Sequence, residues 1–308
     1  MEKSRLGKTS YYISKIGLGT VQFGLDYGFT KRKSQDEVDE ILSYADKKGI
    51  NFIDTARSYG DSEDKIGSFI SQNNNNFVVA TKFEKISEED VKNKDTLHTK
   101  IMHSVETSLK KLHLNKLDIL QLHQTDEYLI NNEDFWDILA SLKTEKMIDS
   151  IGVSVYEEEE TEYLIDKFGE QLEFFQIPYN IFDRRFEKLD KLFNKHQIGV
   201  IGRSVFLKGI IPCRLQELPA ELNALKTYKE RLEEVAVQLS MSSAEVALLY
   251  VYNKAFVTST ILGIDSVDEL EKNIQALEEK QAINYLSFLD HLEVTERRLI
   301  DPRQWKSL

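Results

Sequence analysis

Gly49-Ile50-Asn51-Phe52-Ile53-Asp54-Thr55-Ala56-Arg57-Ser58-Tyr59-Gly60 is the stretch on which the fold turns. Gly49 stops a helical pattern that opens at the capping box Ser34-Gln35-Asp36-Glu37 and turns Val38, Ile41, Leu42 and Ala45 inward. A short apolar strand follows and ends on an acid, with a tyrosine in the loop beyond. Two later runs repeat the form. Phe77-Val78-Val79-Ala80-Thr81 leads into Lys82, and Ile119-Leu120-Gln121-Leu122 leads into His123. Each gives way to a helical pattern. One strand ending on a polar residue carries little meaning. Three in succession point to the C-terminal mouth of a parallel barrel, where such residues converge on a site. An acid, a lysine, a histidine and a phenol gathered there form a set for protonating a carbonyl oxygen.

The pattern extends outward from this centre. Ser4-Arg5-Leu6 and Tyr11-Tyr12-Ile13 flank Gly7-Lys8-Thr9 and predict a short hairpin. Ile16-Gly17-Leu18-Gly19-Thr20 predicts the first barrel strand. Downstream, helix 63–71 precedes strand 77–81, and helix 96–112 precedes strand 117–122. Helix 133–144 precedes strand 148–154, helix 157–168 precedes strand 174–177, and helix 185–195 precedes strand 199–201. One long helical region, 220–253, leads to strand 258–262. Ser266-Val267-Asp268-Glu269 caps a further helix, and the tail after Ala282 keeps the apolar rhythm of an extra C-terminal helix. Eight strand–helix units predict an α/β protein of the (β/α)8, or TIM, barrel type, in one domain over 1–308. A doubly wound sheet is the structural alternative, but no Gly-x-Gly-x-x-Gly opens the first helix.

Composition narrows the function. The 308 residues carry 40 Lys and Arg against 52 Asp and Glu, a net charge of -12, which disfavours nucleic acid or an anionic membrane as partner. Cys213 is the single cysteine, so neither an intramolecular disulfide nor a cysteine-based metal site can form, and a reducing cytoplasmic setting fits. Met1-Glu2-Lys3-Ser4-Arg5 leads into no apolar signal core. The most apolar stretch, 244–264, is broken by Asn253 and Lys254 and reads as a helix then a strand, with no membrane span.

Several blocks, in order, resemble the aldo-keto reductase superfamily, in a bacterial-type member. They are Ile16-Gly17-Leu18-Gly19-Thr20 with Gln22-Phe23-Gly24, and Gly49 to Ala56 with Tyr59-Gly60 and Ser62-Glu63. Ala80-Thr81-Lys82, Ser108-Leu109-Lys110-Lys111-Leu112, and Leu117-Asp118 leading to Leu122-His123 follow. Lys146 with Ile151-Gly152-Val153-Ser154, Gln176-Ile177-Pro178-Tyr179-Asn180, and Gly263 with Asn273 complete the set. The resemblance implies hydride transfer between a nicotinamide cofactor and an aldehyde or ketone, or the corresponding alcohol, with no metal. It maps the catalytic residues onto Asp54, Tyr59, Lys82 and His123. Tyr59 would be the general acid/base. Its phenol ordinarily titrates near ~10, and the Lys82 ammonium would lower that value. Asp54 would hold Lys82, and His123 would donate to the substrate oxygen.

By the same resemblance, Gly19, Thr20 and Asp54 approach the nicotinamide, and Ser154 and Gln176 meet its carboxamide. Val155 stands where the family usually has Asn. Arg203, Ser204, Phe206, Lys208 and Gly209 align with a pyrophosphate loop. Arg203 takes a position where many members stack an aromatic ring on nicotinamide. Gly263, Ser266, Lys272 and Asn273 align with the adenosine end. NADP(H) is the family's usual cofactor, while Asp265, Asp268 and Glu269 leave NAD(H) open. Phe23, Tyr27, Phe83, Gln124 and Phe206 are expected substrate walls. Gln124-Thr125-Asp126 and the pair Arg184-Arg185 suit a sugar or a phosphorylated carbonyl. Two other readings stay open: a nicotinamide-sensing regulatory subunit of the same fold, and an unrelated phosphate-binding barrel enzyme. The oligomeric state is left open.

Overall fold

A computed structural model of the protein describes residues 1–26, 31–279, 289 and 291–306. The short hairpin is β1 (Lys3–Arg5) and β2 (Tyr12–Ser14), paired antiparallel. Eight parallel strands then close a barrel: β3 (Ile16–Gly19), β4 (Phe52–Asp54), β5 (Val78–Lys82), β6 (Leu117–Leu122), β7 (Ile148–Ser154), β8 (Phe174–Pro178), β9 (Gly199–Arg203) and β10 (Ser259–Gly263). Closure is made by β10 beside β3, with Gly263 opposite Gly19. The predicted barrel is therefore the observed one, and two strand boundaries, β6 and β7, coincide with those read from the pattern.

Two apolar layers hold it. Outside the strands, helices α1 (Val21–Gly24), α2 (Gln35–Lys47), α3 (Ser62–Gln72), α4 (Lys94–Leu112), α5 (Glu127–Ile130), α6 (Glu133–Thr144), α7 (Glu158–Phe168), α8 (Asp190–Lys195), α9 (Lys226–Gln238), α10 (Ser243–Tyr252) and α11 (Val267–Glu279) follow in chain order, their apolar faces in the main core. Inside the barrel, Phe52, Ile119, Phe174, Ile201 and Ile261 pack with Leu6 and Ile13 of the hairpin. The hairpin thus plugs the N-terminal end. Its Tyr11 hydroxyl donates to Asp149 at 2.6 Å and to Asp118 at 3.1 Å, on β7 and β6. Gly152 faces this interior: a Cβ there would come within 2.0 Å of the Phe174 ring, so only glycine leaves room for it.

Three local features differ from the sequence reading. The region 220–253 is not one helix. A 3-10 turn at Ala220–Leu225 leads into α9, and α10 departs from it at 88°. Ser240 turns left-handed (φ 55°), and Ser242 with Glu245 forms a capping box that restarts the helix. The run 185–195 opens as a 3-10 helix over Arg185–Leu189 before α8. In the tail, the described residues hold one helical turn, α12 (Arg297–Ile300), and a 3-10 turn, Pro302–Gln304. The expected helix just after Ala282 falls largely outside the described residues. Leu299, Ile300 and Trp305 are buried and fasten the tail to the body. Among the described residues, no single helix is long and apolar enough to cross a membrane.

Phe174 carries the inner layer, so Phe174→Ala should destabilise the fold by about 3–5 kcal/mol. Urea unfolding of the two proteins measures this. A loss under about 1 kcal/mol would mean that the barrel interior collapses freely around the missing ring.

Candidate active site

Every barrel strand delivers its last residues to the same end, and the polar ones meet there. Asp54 closes β4, Lys82 closes β5 and His123 follows β6. Lys82 and Asp54 are 1% and 4% exposed. The Lys82 Nζ donates to both Asp54 carboxylate oxygens at 2.8 Å and to the Thr55 carbonyl at 3.0 Å, which uses all three of its protons. Asp54 Oδ1 also accepts from Gln121 Nε2 and Gln176 Nε2, each at 2.8 Å. A buried carboxylate needs this many donors to remain charged. Thr20 fixes the backbone behind it: its hydroxyl donates to the Asp54 carbonyl at 3.0 Å and accepts from Ser62 at 2.9 Å.

Tyr59 lies over this pair. The Lys82 Nζ is 5.2 Å from the Tyr59 ring centre, and the Tyr59 and His123 rings meet edge to face at 6.0 Å. The acid, lysine, phenol and imidazole singled out in the sequence are therefore together. Gln121 was not among them: a glutamine inside an apolar strand gives no signal until its face of the barrel is known.

The electrostatics follow from burial and two cations. Burial pushes the Tyr59 phenol up, and Lys82 opposes this without reversing it, so the net shift is upward. This differs from the lowering expected from Lys82 alone. Burial pulls Lys82 down, but Asp54 and then Tyr59 outweigh it, and the ammonium is held above its usual value. His123 keeps solvent-exposed surface, yet withdrawal from water by the surrounding protein is the largest effect on it. With Lys82 and Arg203 adding repulsion, its pKa falls to about 4.

A cleft of about 460 Å³ opens from these groups. Tyr59, His123, Asp54, Ser154, Gln176 and Arg203 line it beside the Lys82–Asp54 pair. Gly19, Thr20, Ser204, Phe206, Lys208, Gly209, Gly263 and Asp265 line the remainder, with Gln22, Tyr156 and Pro302, which the sequence had not marked as cleft residues. Tyr156 and Pro302 reach the cleft from a loop and from the tail, which local pattern does not reveal. The loop after β9 is strained. Ser204, Leu207 and Lys208 all have positive φ (62°, 46° and 55°), as does Gly209 (89°). Left-handed backbone at a non-glycine residue costs about 1–3 kcal/mol and gathers at ligand clamps. A Cβ on Gly209 would touch nothing within 4 Å, so the turn borders open space.

Other expected residues lie elsewhere. Phe23 is fully buried in the main core, and Phe83 is buried against Phe135. Gln124 ties its loop to the one after β5, donating to the Ile86 carbonyl at 2.8 Å. Tyr27 is outside the described residues. Arg185 pairs with Asp183 at 2.6 Å, and Arg184 is buried, donating to the Ile181 carbonyl, so neither supports a substrate contact. Ser266 accepts from the Glu269 backbone at 3.2 Å, and the Glu269 carboxylate accepts from the Asp265 backbone at 2.7 Å. Lys272 and Asn273 sit on α11 outside the cleft lining, the Asn273 Nδ2 buried without a hydrogen-bond partner. Val155 is fully buried with its backbone N–H on the Gln176 carbonyl, so it offers the cleft no side-chain amide.

This barrel, with its ring of strand-end residues, is that of the aldo/keto reductases, and the chain belongs to the aldo/keto reductase family, whose model matches residues 15–290. It is an oxidoreductase by that membership, and members generally use nicotinamide cofactors. The uncharacterized oxidoreductase YqkF of Bacillus subtilis (strain 168) is 28% identical over 292 residues, which are 90% of this chain and 91% of that one. L-glyceraldehyde 3-phosphate reductase of Escherichia coli (strain K12) is 25% identical over 313 residues, covering 89% of each. In fold, the holo form of an aldo-keto reductase from Bacillus halodurans matches with a TM-score of 0.76 at 23% identity, covering 97% of this chain and 99% of that one.

The depressed His123 pKa has a direct consequence. Its imidazole should be neutral at pH 6 and take a proton only as pH falls toward about 4. NMR titration of the His123 ring protons reads the midpoint. A value near 6.5 would show that neither burial nor the two cations reach the ring.

Proposed function

We propose that the chain is a nicotinamide-dependent reductase of small, sugar-like aldehydes or ketones, or an oxidant of the corresponding alcohols, with Tyr59 as general acid/base. The observation that carries this is Tyr59 itself: a phenol lining the cleft, with the Lys82–Asp54 pair behind it and His123 at its edge. When bound, the cofactor supplies or accepts the hydride.

Charge grows on a carbonyl oxygen as hydride reaches its carbon, so the protein must supply a proton at that oxygen. Tyr59 holds one: its raised pKa keeps the phenol protonated across the neutral range. After donation, the Lys82 ammonium stabilises the phenolate. Asp54 keeps Lys82 charged and in place, with Gln121 and Gln176 keeping Asp54 in place. His123, neutral above about pH 4, donates a hydrogen bond to the same oxygen and orients it without competing as a cation.

The remaining residues fit a dinucleotide. The left-handed loop Ser204 to Gly209 with Lys208 suits a pyrophosphate, since backbone N–H groups of such turns converge on anions. The buried, unpartnered Gln22 Oε1 on the cleft wall is an acceptor left for a ligand donor. Gly19, Thr20, Ser154 and Gln176 would border the nicotinamide, and Gly263 the adenosine. NADP(H) is the first reading, as the cofactor usual in the family. NAD(H) is the second, supported by the Asp265 carboxylate on the cleft wall. The polar reductase among the relatives supports a hydroxylated or phosphorylated substrate.

Tyr59→Phe keeps the ring and removes the proton. Reduction of an aldehyde by NAD(P)H should slow by about 10²- to 10⁴-fold in kcat/KM, while nicotinamide fluorescence still reports cofactor binding. Unchanged turnover would refute the role given to Tyr59.

A further inference from the structure

Glu63 belongs to the sequence block around Tyr59, yet the site described above gives it no role. It is 1% exposed, lies in the first turn of α3, and does not line the cleft. A carboxylate this deep must be met by donors. Its Oε1 accepts from the Thr81 hydroxyl at 2.7 Å, and its Oε2 accepts from Arg57 Nη1 at 2.8 Å. Thr81 is fully buried and immediately precedes Lys82 on β5, and Arg57 stands two residues before Tyr59. One carboxylate therefore grips the chain beside both the phenol and the ammonium.

The backbone repeats that link. The Thr55 N–H donates to the Ala80 carbonyl at 2.8 Å, and the Arg57 N–H donates to the Lys82 carbonyl at 3.0 Å. The loop then turns away from β5. The Tyr59 N–H donates to the Ala56 carbonyl, and the Tyr59 carbonyl accepts from the Ser62 N–H, both at 3.0 Å. A Cβ on Gly24 would come within 1.7 Å of the Tyr59 carbonyl oxygen, so α1 also presses on this turn. The turn that carries Tyr59 is thus braced by α1 through Gly24 and by α3 through Glu63.

Stability alone does not account for such a pair. Desolvation offsets most of the attraction in a buried ion pair, and an apolar pair of similar volume would hold the fold as well. What the pair supplies is a fixed geometry. The second partner of Arg57, Glu84 at 2.9 Å, is 46% exposed, so water screens that contact and it holds the loop weakly. Geometry matters here because the proton donor must stand within hydrogen-bond reach of the carbonyl oxygen. A displacement of about 1 Å can cost roughly 10²-fold in rate.

We propose that Glu63 is a positioning residue for the reduction: through Arg57 and Thr81 it sets where the Tyr59 phenol stands over the Lys82 ammonium. This rests on the reductase reading above. Glu63 acts through the placement of that phenol, so its effect on rate must vanish once the phenol's proton is removed.

The test is a double-substitution cycle on the full chain. Reduction of glyceraldehyde by whichever of NADPH and NADH binds is followed for the wild type, Glu63→Gln, Tyr59→Phe and the double variant. Nicotinamide fluorescence reads nucleotide affinity, and urea unfolding reads the fold. Glu63→Gln keeps the shape and removes the charge. It should lower kcat by about 10- to 10²-fold and leave nucleotide affinity in place. In the Tyr59→Phe background the same change should cost less than about twofold. An unchanged kcat in folded Glu63→Gln overturns the proposal. So does an equal loss with and without the phenol, which would assign Glu63 to the fold at large, or a loss that follows nucleotide affinity. Should Glu63→Gln not fold, Thr81→Val and Arg57→Lys keep the carboxylate and alter one contact each. Both should lower kcat when Tyr59 is present and neither when it is Phe, and additive losses overturn the proposal from that side. A wild type that turns over and slows with Tyr59→Phe, but ignores these changes, would sink this assignment and leave the reductase reading standing. No turnover of the aldehyde, or turnover indifferent to Tyr59→Phe, would sink the reductase reading, and this proposal with it.

Discussion

The buried pair of Lys82 and Asp54 is the constraint on which the rest of the site depends. An ion pair out of water is stable only when nearly every remaining donor and lone pair is met. Here the supporting groups come from different strands. Asp54 is on β4, Lys82 on β5, Gln121 on β6 and Gln176 on β8, and all three partners donate to one carboxylate at 2.8 Å. The geometry therefore exists only in the closed barrel. The hairpin that plugs the opposite end and the Phe174 layer inside the strands hold that closure, so packing far from the mouth sets the position of the groups gathered there.

The pair also determines what its neighbours can be. Lys82 has no proton left over, so it acts on Tyr59 through space, as a charge 5.2 Å from the ring centre. Burial, helped by the field of Lys82 and that of Arg203, keeps His123 neutral, and burial keeps Tyr59 protonated. Both groups are thus donors at neutral pH, which is the state that carbonyl reduction needs. The cost of backbone strain falls in the loop after β9, where four residues from Ser204 to Gly209 take positive φ. Strain of that kind persists where the surrounding structure over-determines it, as at a ligand clamp.

Much of this is legible in the sequence, for physical reasons. Strands such as Leu117–Leu122 and Ile148–Ser154 are buried on both faces, so their apolar runs have sharp ends. A polar residue at such an end must sit at the mouth, which is why Asp54, Lys82 and His123 can be placed together without coordinates. Other features depend on contacts remote in sequence. Gln121 becomes a partner of Asp54 only through barrel curvature, and Pro302 reaches the cleft from the tail. Phe23 and Phe83 follow strands, as wall residues do, but their rings turn to the core. The α9–α10 corner hides inside an apolar pattern because Ser242-Ser243-Ala244-Glu245 is a short capping signal within a longer helical period. The upward shift of Tyr59 depends on how deeply its ring is set, which residue identity does not state.

Binding of a nicotinamide dinucleotide is the central claim, because without it the proton donors have no hydride to accompany. Equilibrium titration of the purified protein with NADPH and with NADH, followed by nicotinamide fluorescence, tests it most directly. Saturable binding, tighter for NADPH, is the predicted result. Absence of binding by either nucleotide would leave the barrel intact and contradict hydride transfer as its chemistry.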